Sequence, residues 1–258
     1  MDFWGHFDVL RSVLFKIAAV IIAVGVALFI YMPWIFDNII LSPCDGDFIT
    51  YRWLGAMKGD GTLLPNMSGE GFHVDLINYN LTTQFNTHIS LSIWLALVLT
   101  FPFVIYMLWT FVKPGLYPNE RKNSTTAFLF GNLMFYLGVT CSYFLVFPMC
   151  LKFLADYQIS ESIKNTISLS SYIDNFLMLN FLMGIAFELP LLCWLLGKMG
   201  LLTRRFFAKF RRHAIVILLI LAAIITPTGD PVTLALVFAP LYLLWELSAL
   251  LVPRTHAD

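Results

Sequence analysis

The chain has 258 residues, of which 59% are hydrophobic and only 12% are charged, and its mean hydropathy is +0.78. A core of this size cannot hide 24 Phe, 10 Met and 7 Trp, so the composition excludes a soluble protein and indicates a surface that faces lipid. Sixteen basic residues balance sixteen acidic ones, which argues against nucleic-acid binding, because that function needs a net positive face.

Six apolar stretches follow one another along the chain. They cover residues about 13–35, 89–112, 127–151, 172–196, 213–226 and 232–251. The first four contain the roughly 20 apolar residues that a membrane-spanning helix needs. The fifth has only 12 uncharged residues, which cover about 18 Å, so it either crosses a thinned bilayer or forms a re-entrant hairpin with the sixth. We predict an all-α integral membrane protein, a single domain of six transmembrane helices with the last two short.

The distribution of Lys and Arg predicts the orientation of these helices. One side of the membrane receives twelve of the sixteen: Arg11, Lys16, Lys113, Arg121, Lys122, Lys198, Arg204, Arg205, Lys209, Arg211, Arg212 and Arg254. The other side receives Arg52, Lys58, Lys152 and Lys164. By the positive-inside rule, both termini are cytoplasmic. Residues 37–88 then form an external loop.

Proline recurs inside the predicted spans, as at Pro102, Pro148, Pro190 and Pro240. Each proline removes a backbone hydrogen bond and bends its helix, so we expect a curved bundle. Membrane helices tolerate such prolines because neighbouring groups satisfy the carbonyls that they free.

Sequence motifs for catalysis are absent. The chain contains no HExxH, GxSxG or P-loop pattern, and its four cysteines show no CxxC spacing. We therefore predict no enzymatic activity, no catalytic residues, no metal site and no cofactor.

Two glutamates lie inside the apolar stretches. Glu188 lies about nine residues from the cytoplasmic end of the fourth span, where a charged carboxylate costs about 2.5–3.5 kcal/mol. We expect Glu188 to be protonated and to face the interior, either in a functional role or as a structural Glu hydrogen-bonded to another helix. Glu246 in the sixth span points to function less strongly, because it lies near a hairpin that water can reach.

A short loop that contains a carboxylate connects the second and third spans. It is stiffened by Pro114 and Pro118, begins after Phe111 at the membrane edge, and contains Glu120. Cytoplasmic loops ordinarily gather positive charge, so topology does not explain Glu120. The ordinary interpretation is a solvated Glu paired with a neighbouring cation, worth under about 1 kcal/mol.

The first eleven residues predict a short amphipathic helix that lies in the membrane interface. Its polar stripe includes Asp8 and Arg11, for which the ordinary interpretation is an i,i+3 ion pair.

Several of these segments together resemble the TatC family, the multispanning subunit of the twin-arginine protein translocase. The resemblance extends over nearly the whole chain. Its most specific parts are the loop from Trp109 to Arg121, the segments Phe135–Gly138 and Phe144–Pro148 in the third span, Phe187–Pro190 in the fourth, and Thr226-Pro227 before Asp230.

The resemblance implies a concave receptor in the bacterial cytoplasmic (inner) membrane. Such a receptor binds the twin-arginine signal peptides of folded export substrates and recruits single-span partners of the TatA and TatB type for export driven by the proton-motive force. Homo-oligomers are also compatible with it. It implies signal-peptide binding by Glu120 and Phe111, and polar or partner contacts at Glu188 and Asp230.

The N-terminal motif departs from the family pattern. Members usually carry His-Leu-x-Glu-Leu-Arg, and alignment of His6, Leu10 and Arg11 places Val9 where the glutamate stands. Asp8 is the neighbouring carboxylate, about 100° around the helix, so Asp8 and Arg11 complete the expected signal-binding set. The alternative function is a proton-coupled secondary transporter that uses Glu188, and it predicts an internal repeat that the sequence lacks. A structural scaffold, a third possibility, would tolerate loss of Glu120.

Overall fold

The structure is a computed structural model that describes residues 3–56, 69, 71–112, 124–158, 160, 165–198, 200, 202–226 and 229–252. Nine α-helices lie within these ranges: α1 Phe3–Ile35, α2 Ile49–Ala56, α3 Thr83–Val112, α4 Ser124–Cys141, α5 Phe147–Asp156, α6 Leu169–Ala186, α7 Leu189–Lys198, α8 Arg204–Ile225 and α9 Pro231–Leu251. Single π-helical turns at Phe36–Ile40 and Ser142–Val146 extend α1 and join α4 to α5, and a 3₁₀ turn covers Ser42–Cys44.

Five segments of the described chain are long and apolar enough to cross a membrane: Phe7–Cys44, Thr83–Phe111, Leu129–Asp156, Leu169–Lys198 and Pro231–Leu251. The predicted class, an all-α protein with several membrane helices, is confirmed. α8 is not among the five, because five basic residues fall in its first ten positions and leave too short an apolar remainder. The count of six spans therefore stays a prediction.

The chain divides into two compact units. Unit 1 contains residues 1–37 and 81–133, and unit 2 contains residues 38–80 and 134–258. In unit 1, α1 and α3 form an antiparallel pair. Small residues allow their close approach: a Cβ placed on Gly25 would lie 3.7 Å from the Cβ of Ala96. The rest of α1 presents large apolar side chains outward, among them Phe15, Ile22 and Ile30, as a lipid-facing helix does.

A histidine of α3 compensates for the proline in α1. Pro33 has no N–H, so the carbonyl of Phe29 lacks its usual helical donor. The Nε2 of His88 lies 2.8 Å from this carbonyl oxygen, and the imidazole stacks on the Phe29 ring at 3.8 Å. Because a carbonyl only accepts, Nε2 must carry the hydrogen and donate it. This contact fixes the register of the two helices.

One part of unit 2 is built on a cluster of aromatic rings. The rings come from α2, from α5, from α6 and from the π turn that joins α4 to α5. Tyr51 is fully buried, and its one hydroxyl hydrogen is shared between the carbonyls of Pro43 and Pro148, whose oxygens both lie 3.0 Å from the hydroxyl oxygen. Burial raises the pKa of Tyr51 well above its ordinary value, so the phenol keeps its hydrogen as a donor. A two-stranded parallel sheet, Leu76–Ile77 with Ile167–Ser168, joins the segment before α3 to the segment before α6.

A buried lysine lies beside this cluster. Lys152 is only 4% exposed, and its Nζ lies 4.4 Å from the ring centroid of Phe72 and 3.2 Å from a carboxylate oxygen of Asp156. The two contacts offset the cost of taking the ammonium group out of water.

α4 and α6 approach each other through two glycines. A Cβ on Gly138 would lie 2.8 Å from the carbonyl oxygen of Met183, and one on Gly184 would lie 2.8 Å from the ring of Phe135. Both distances are too short for any side chain, so each position requires glycine. The glycine in the Phe135–Gly138 segment thus has a packing role.

The proline in α5 is compensated in the same way as the one in α1. Phe144 lies four residues before Pro148, which has no N–H to donate to its carbonyl. The hydroxyl of Thr50, in α2, donates to that carbonyl instead, and the ring of Phe48 stacks on that of Phe144. The short helix α2 is therefore anchored at the irregular turn between α4 and α5.

We predict that Thr50→Val lowers the free energy of unfolding by about 1–2 kcal/mol. Valine has the shape of threonine but removes the donor, so the part-buried carbonyl of Phe144 loses its partner. Denaturation of the purified protein in detergent measures the loss. Thr50→Ser keeps the hydroxyl and should recover most of the stability, whereas equal stability of Thr50→Val and the unsubstituted protein would contradict the prediction.

Candidate functional site

Three of the predicted signal-binding residues lie near the same end of unit 1. The contacts of Phe29 with His88 and of Gly25 with Ala96 set an antiparallel register for α1 and α3. This register places the turn that contains Asp8 and Arg11 level with Phe111, in the last turn of α3. Phe111 is half-buried, and both charged side chains are exposed.

The expected ion pair between Asp8 and Arg11 is not formed. The guanidinium of Arg11 lies over the ring of Phe15 instead, with Cζ 5.6 Å from the centroid. Within the residues that the structure describes, the Asp8 carboxylate has no hydrogen-bonding or ionic partner. An exposed carboxylate of this kind is available to a cationic ligand. Val9, beside it, is also exposed.

The expected principal signal-binding residue, Glu120, lies outside the described residues. Its loop leaves from the end of α3, directly after Phe111 and Val112. The chain therefore enters the loop from the same end of unit 1 that holds Asp8 and Arg11.

Glu188 lies at a break between two helices rather than in the middle of one. α6 ends at Ala186 and α7 begins at Leu189, so Phe187 and Glu188 form a turn. At this turn the Glu188 N–H donates to Ile185, three residues back instead of four, and Pro190 follows without an N–H. The side chain is half-buried, and its Oε1 is buried with no hydrogen-bond partner among the described residues. An unsatisfied buried carboxyl oxygen is costly, so a hydrogen bond to Oε1 of Glu188 from another group would be favourable.

Asp230 has a local structural role. It is the N-cap of α9, and its Oδ1 accepts a hydrogen bond of 2.7 Å from the N–H of Thr233. Such a cap is worth about 1 kcal/mol to the helix. Any contact of Asp230 with a partner has to share the carboxylate with this cap.

Glu246, in α9, forms an ion pair with a residue of α8. Its Oε2 lies 2.8 Å from Nη2 of Arg211, and its Oε1 accepts from the hydroxyl of Tyr242 at 2.8 Å. Sequence reasoning missed this pair because it counted Arg211 only as a topological charge. The structural interpretation of Glu246 is the one that the geometry supports.

Metal binding finds no support in the described ranges, where no three His, Cys, Asp or Glu side chains come together to hold an ion. The polar groups that do stand out are carboxylates placed singly, at Asp8 and Glu188. Such single carboxylates suit recognition of a cationic or polar partner.

The fold and these sites define a multi-pass helical membrane protein with an exposed carboxylate near one end of unit 1 and a polar break inside a membrane helix. A family model described as Sec-independent protein translocase protein (TatC) matches residues 5–240. The chain belongs to the TatC family and is a component of a protein translocase.

Curated relatives support the family over almost the full length. The chain is 33% identical to the Sec-independent protein translocase protein TatC of Blattabacterium sp. subsp. Periplaneta americana, over 96% of this chain and 93% of the relative. It is 29% identical to that of Carboxydothermus hydrogenoformans, over 96% and 91%. Over a shorter region, 63% of this chain and 65% of the relative, it is 39% identical to TatC of Helicobacter pylori strain J99.

Solved structures agree with the relatives. The fold is similar to a crystal structure of the twin-arginine translocase receptor TatC, with a TM-score of 0.72 and 29% identity, over 95% of this chain and 97% of that one. A crystal structure of the same receptor in DDM gives a TM-score of 0.76 and 28% identity, over 96% and 99%. The resemblance read from the sequence motifs is confirmed, and the transporter alternative is not favoured.

Proposed function

We propose that this chain is the receptor of a twin-arginine translocase, which binds the signal peptides of folded proteins and assembles with TatA/TatB-type partners for export driven by the proton-motive force. The match of the family model over residues 5–240 carries the proposal. The exposed carboxylate of Asp8, which has no partner among the described residues, supports the proposal from the geometry, because it lies near the end of unit 1 at which α3 ends.

The signal is recognised through paired charges. A guanidinium is a planar fork with fixed donors, which a carboxylate grips through two parallel hydrogen bonds. Each charge-assisted bond is worth about 1.5–3 kcal/mol where water is partly excluded. Lysine presents a compact ammonium without this fork, so a twin-lysine signal binds poorly. Glu120 takes the main role, Asp8 supplies a second carboxylate, and Phe111 packs against the apolar part of the signal.

The protein lies in a bacterial cytoplasmic (inner) membrane, with six spans in a curved, concave bundle and both termini in the cytoplasm. The excess of Lys and Arg on one side of the predicted spans supports this orientation. In it, residues 1–258 act as one membrane domain with an external segment at 37–88.

Partner helices engage the membrane interior at Glu188. The unsatisfied Oε1 of Glu188 attracts a polar group of a single-span partner, because a hydrogen bond inside the bilayer removes the cost of leaving the group alone. Asp230, at the start of α9, is the second proposed contact, on the external side.

Glu120→Gln should lower crosslinking to a twin-arginine signal peptide at least tenfold, a loss of about 1.4 kcal/mol, because glutamine keeps the size of the side chain and removes its charge. Crosslinking is compared with a twin-lysine peptide, which should already be weak on the unsubstituted receptor. The neighbouring variant Arg121→Gln is the control and should retain binding. Unchanged crosslinking of Glu120→Gln would remove this residue from the site.

Asp8→Asn should weaken signal binding further in the Glu120→Gln background, because Asp8 is the other carboxylate of the proposed binding set. Val9→Glu, which restores the glutamate that relatives carry, should tighten binding. Equilibrium binding of a labelled signal peptide measures both effects. If Asp8→Asn leaves binding and export intact while Val9→Glu tightens binding, this chain has one carboxylate grip and Asp8 does not compensate.

Glu188→Ala should impair export while it leaves signal-peptide binding nearly unchanged, because the proposed role of Glu188 follows binding. Glu188→Gln keeps a polar group at the turn and should export better than the alanine variant. The transporter alternative requires instead that Glu188→Ala abolish solute-coupled proton flux in liposomes that contain this protein alone. Export at the normal rate by Glu188→Ala would contradict the proposed partner contact.

A further inference from the structure

The basic residues at the start of α8 are divided between two faces of the helix. Arg204 and Arg211 share a stripe with the buried residues Phe207, Ala214 and Leu218. Arg205, Lys209 and Arg212 lie roughly 150° around the helix from that stripe, as the 3.6-residue repeat requires. All three of these side chains are exposed.

The inner pair is used within the protein. Arg204 donates from Nε to the carbonyl of Val252 at 3.0 Å and from Nη2 to that of Leu250 at 2.7 Å, so it caps the last carbonyls of α9. Arg211 pairs with Glu246. These two cations hold α8 and α9 together.

The outer row continues into an apolar surface. Further along the same face of α8 lie Val216 and Ile220, which are 56% and 57% exposed. From Arg212 to Ile220 the helix rises about 12 Å, less than the roughly 15 Å depth of one leaflet of hydrocarbon. The face is thus cationic at the start of the helix and aliphatic for the next two turns.

Aromatic rings mark the depth of this face in the bilayer. Phe206 is exposed and lies 4.6 Å, centroid to centroid, from Phe210, beside the cationic row. Lys209 also lies near the ring of Phe210, with Nζ 5.8 Å from its centroid. Rings and cations placed together in this way occur where a helix passes from water into lipid.

We propose that Arg205, Lys209 and Arg212 bind the headgroup of an anionic phospholipid whose acyl chain lies along Val216 and Ile220. Membrane topology requires positive charge near this end of α8, but it does not require that three cations form one exposed row above an exposed aliphatic strip. A free phosphate would use the cations and not the strip, and a neutral lipid would use the strip and not the cations. The proposal needs only that α8 contact the bilayer, so it is independent of signal-peptide binding.

The test is lipid binding to the full-length protein in detergent, measured by native mass spectrometry with phosphatidylglycerol and phosphatidylcholine of the same acyl chains. Phosphatidylglycerol should bind the unsubstituted protein more tightly. Lys209→Gln with Arg212→Gln should weaken that binding about 30-fold, since each cation near the surface is worth about fivefold, or about 1 kcal/mol. Phosphatidylcholine binding should not change.

Two control variants make the result specific. Lys209→Arg with Arg212→Lys keeps both charges and should bind phosphatidylglycerol within about twofold of the unsubstituted protein. Lys16→Gln with Lys198→Gln removes the same charge from exposed positions on the same predicted side and should also leave the affinity nearly intact. Thermal unfolding checks that each variant is folded, and Lys209→Gln alone, with an expected fivefold loss, replaces the double variant if that one is unstable.

The site is rejected if the Lys209/Arg212 double variant binds phosphatidylglycerol as tightly as the unsubstituted protein. It is also rejected if the Lys16/Lys198 variant loses as much affinity as the Lys209/Arg212 variant, because the lipid would then respond to the total charge and not to this row of cations. Equal binding of phosphatidylcholine would also reject it. Displacement of the lipid by inorganic phosphate, at a level where sulfate of equal ionic strength has no effect, would assign the cations to free phosphate instead.

Discussion

The constraint on which this structure depends is that a backbone carbonyl inside a membrane has no water to bond to. Proline creates such carbonyls, and side chains from other helices donate hydrogen bonds to them. His88 donates to the carbonyl of Phe29, four residues before Pro33, and Thr50 donates to that of Phe144, four residues before Pro148. Each bond links segments far apart in the chain. The positions at which proline interrupts the helical hydrogen bonds are therefore also positions at which another helix is hydrogen-bonded.

The same logic separates structural polar groups from candidate functional ones. Lys152, Arg204, Arg211 and Glu246 all have partners that offset their burial or hold two helices together. Asp8 is exposed and unpaired within the described part of the chain, and Glu188 presents a buried oxygen that no described group satisfies. A receptor needs polar groups that its own fold leaves available, and these two carboxylates meet that condition.

α8 shows how one helix serves two purposes through its two faces. Its inner stripe carries Arg204 and Arg211 into contacts with α9, which positions the C-terminal hairpin. Its outer stripe presents a cationic row and an aliphatic strip to the surroundings. The shortness of its apolar part follows from this division, because the first ten residues hold five charges that belong at or above the interface.

The sequence by itself determined the class of the protein, since hydrophobic length against the bilayer thickness admits few solutions other than membrane helices. It also determined the family, because the motifs from Trp109 to Asp230 are local and specific, and it marked Glu188 through the cost of its charge in lipid. It did not reveal that Glu188 lies at a helix break, that Arg11 turns to Phe15 instead of Asp8, or that Asp230 caps α9. Only the tertiary structure decided which cation of α8 pairs with Glu246 and which hydroxyl donates to the carbonyl that Pro148 leaves without a donor. Thr50 and Phe144 are 94 residues apart, and no sequence periodicity predicts a contact across that separation.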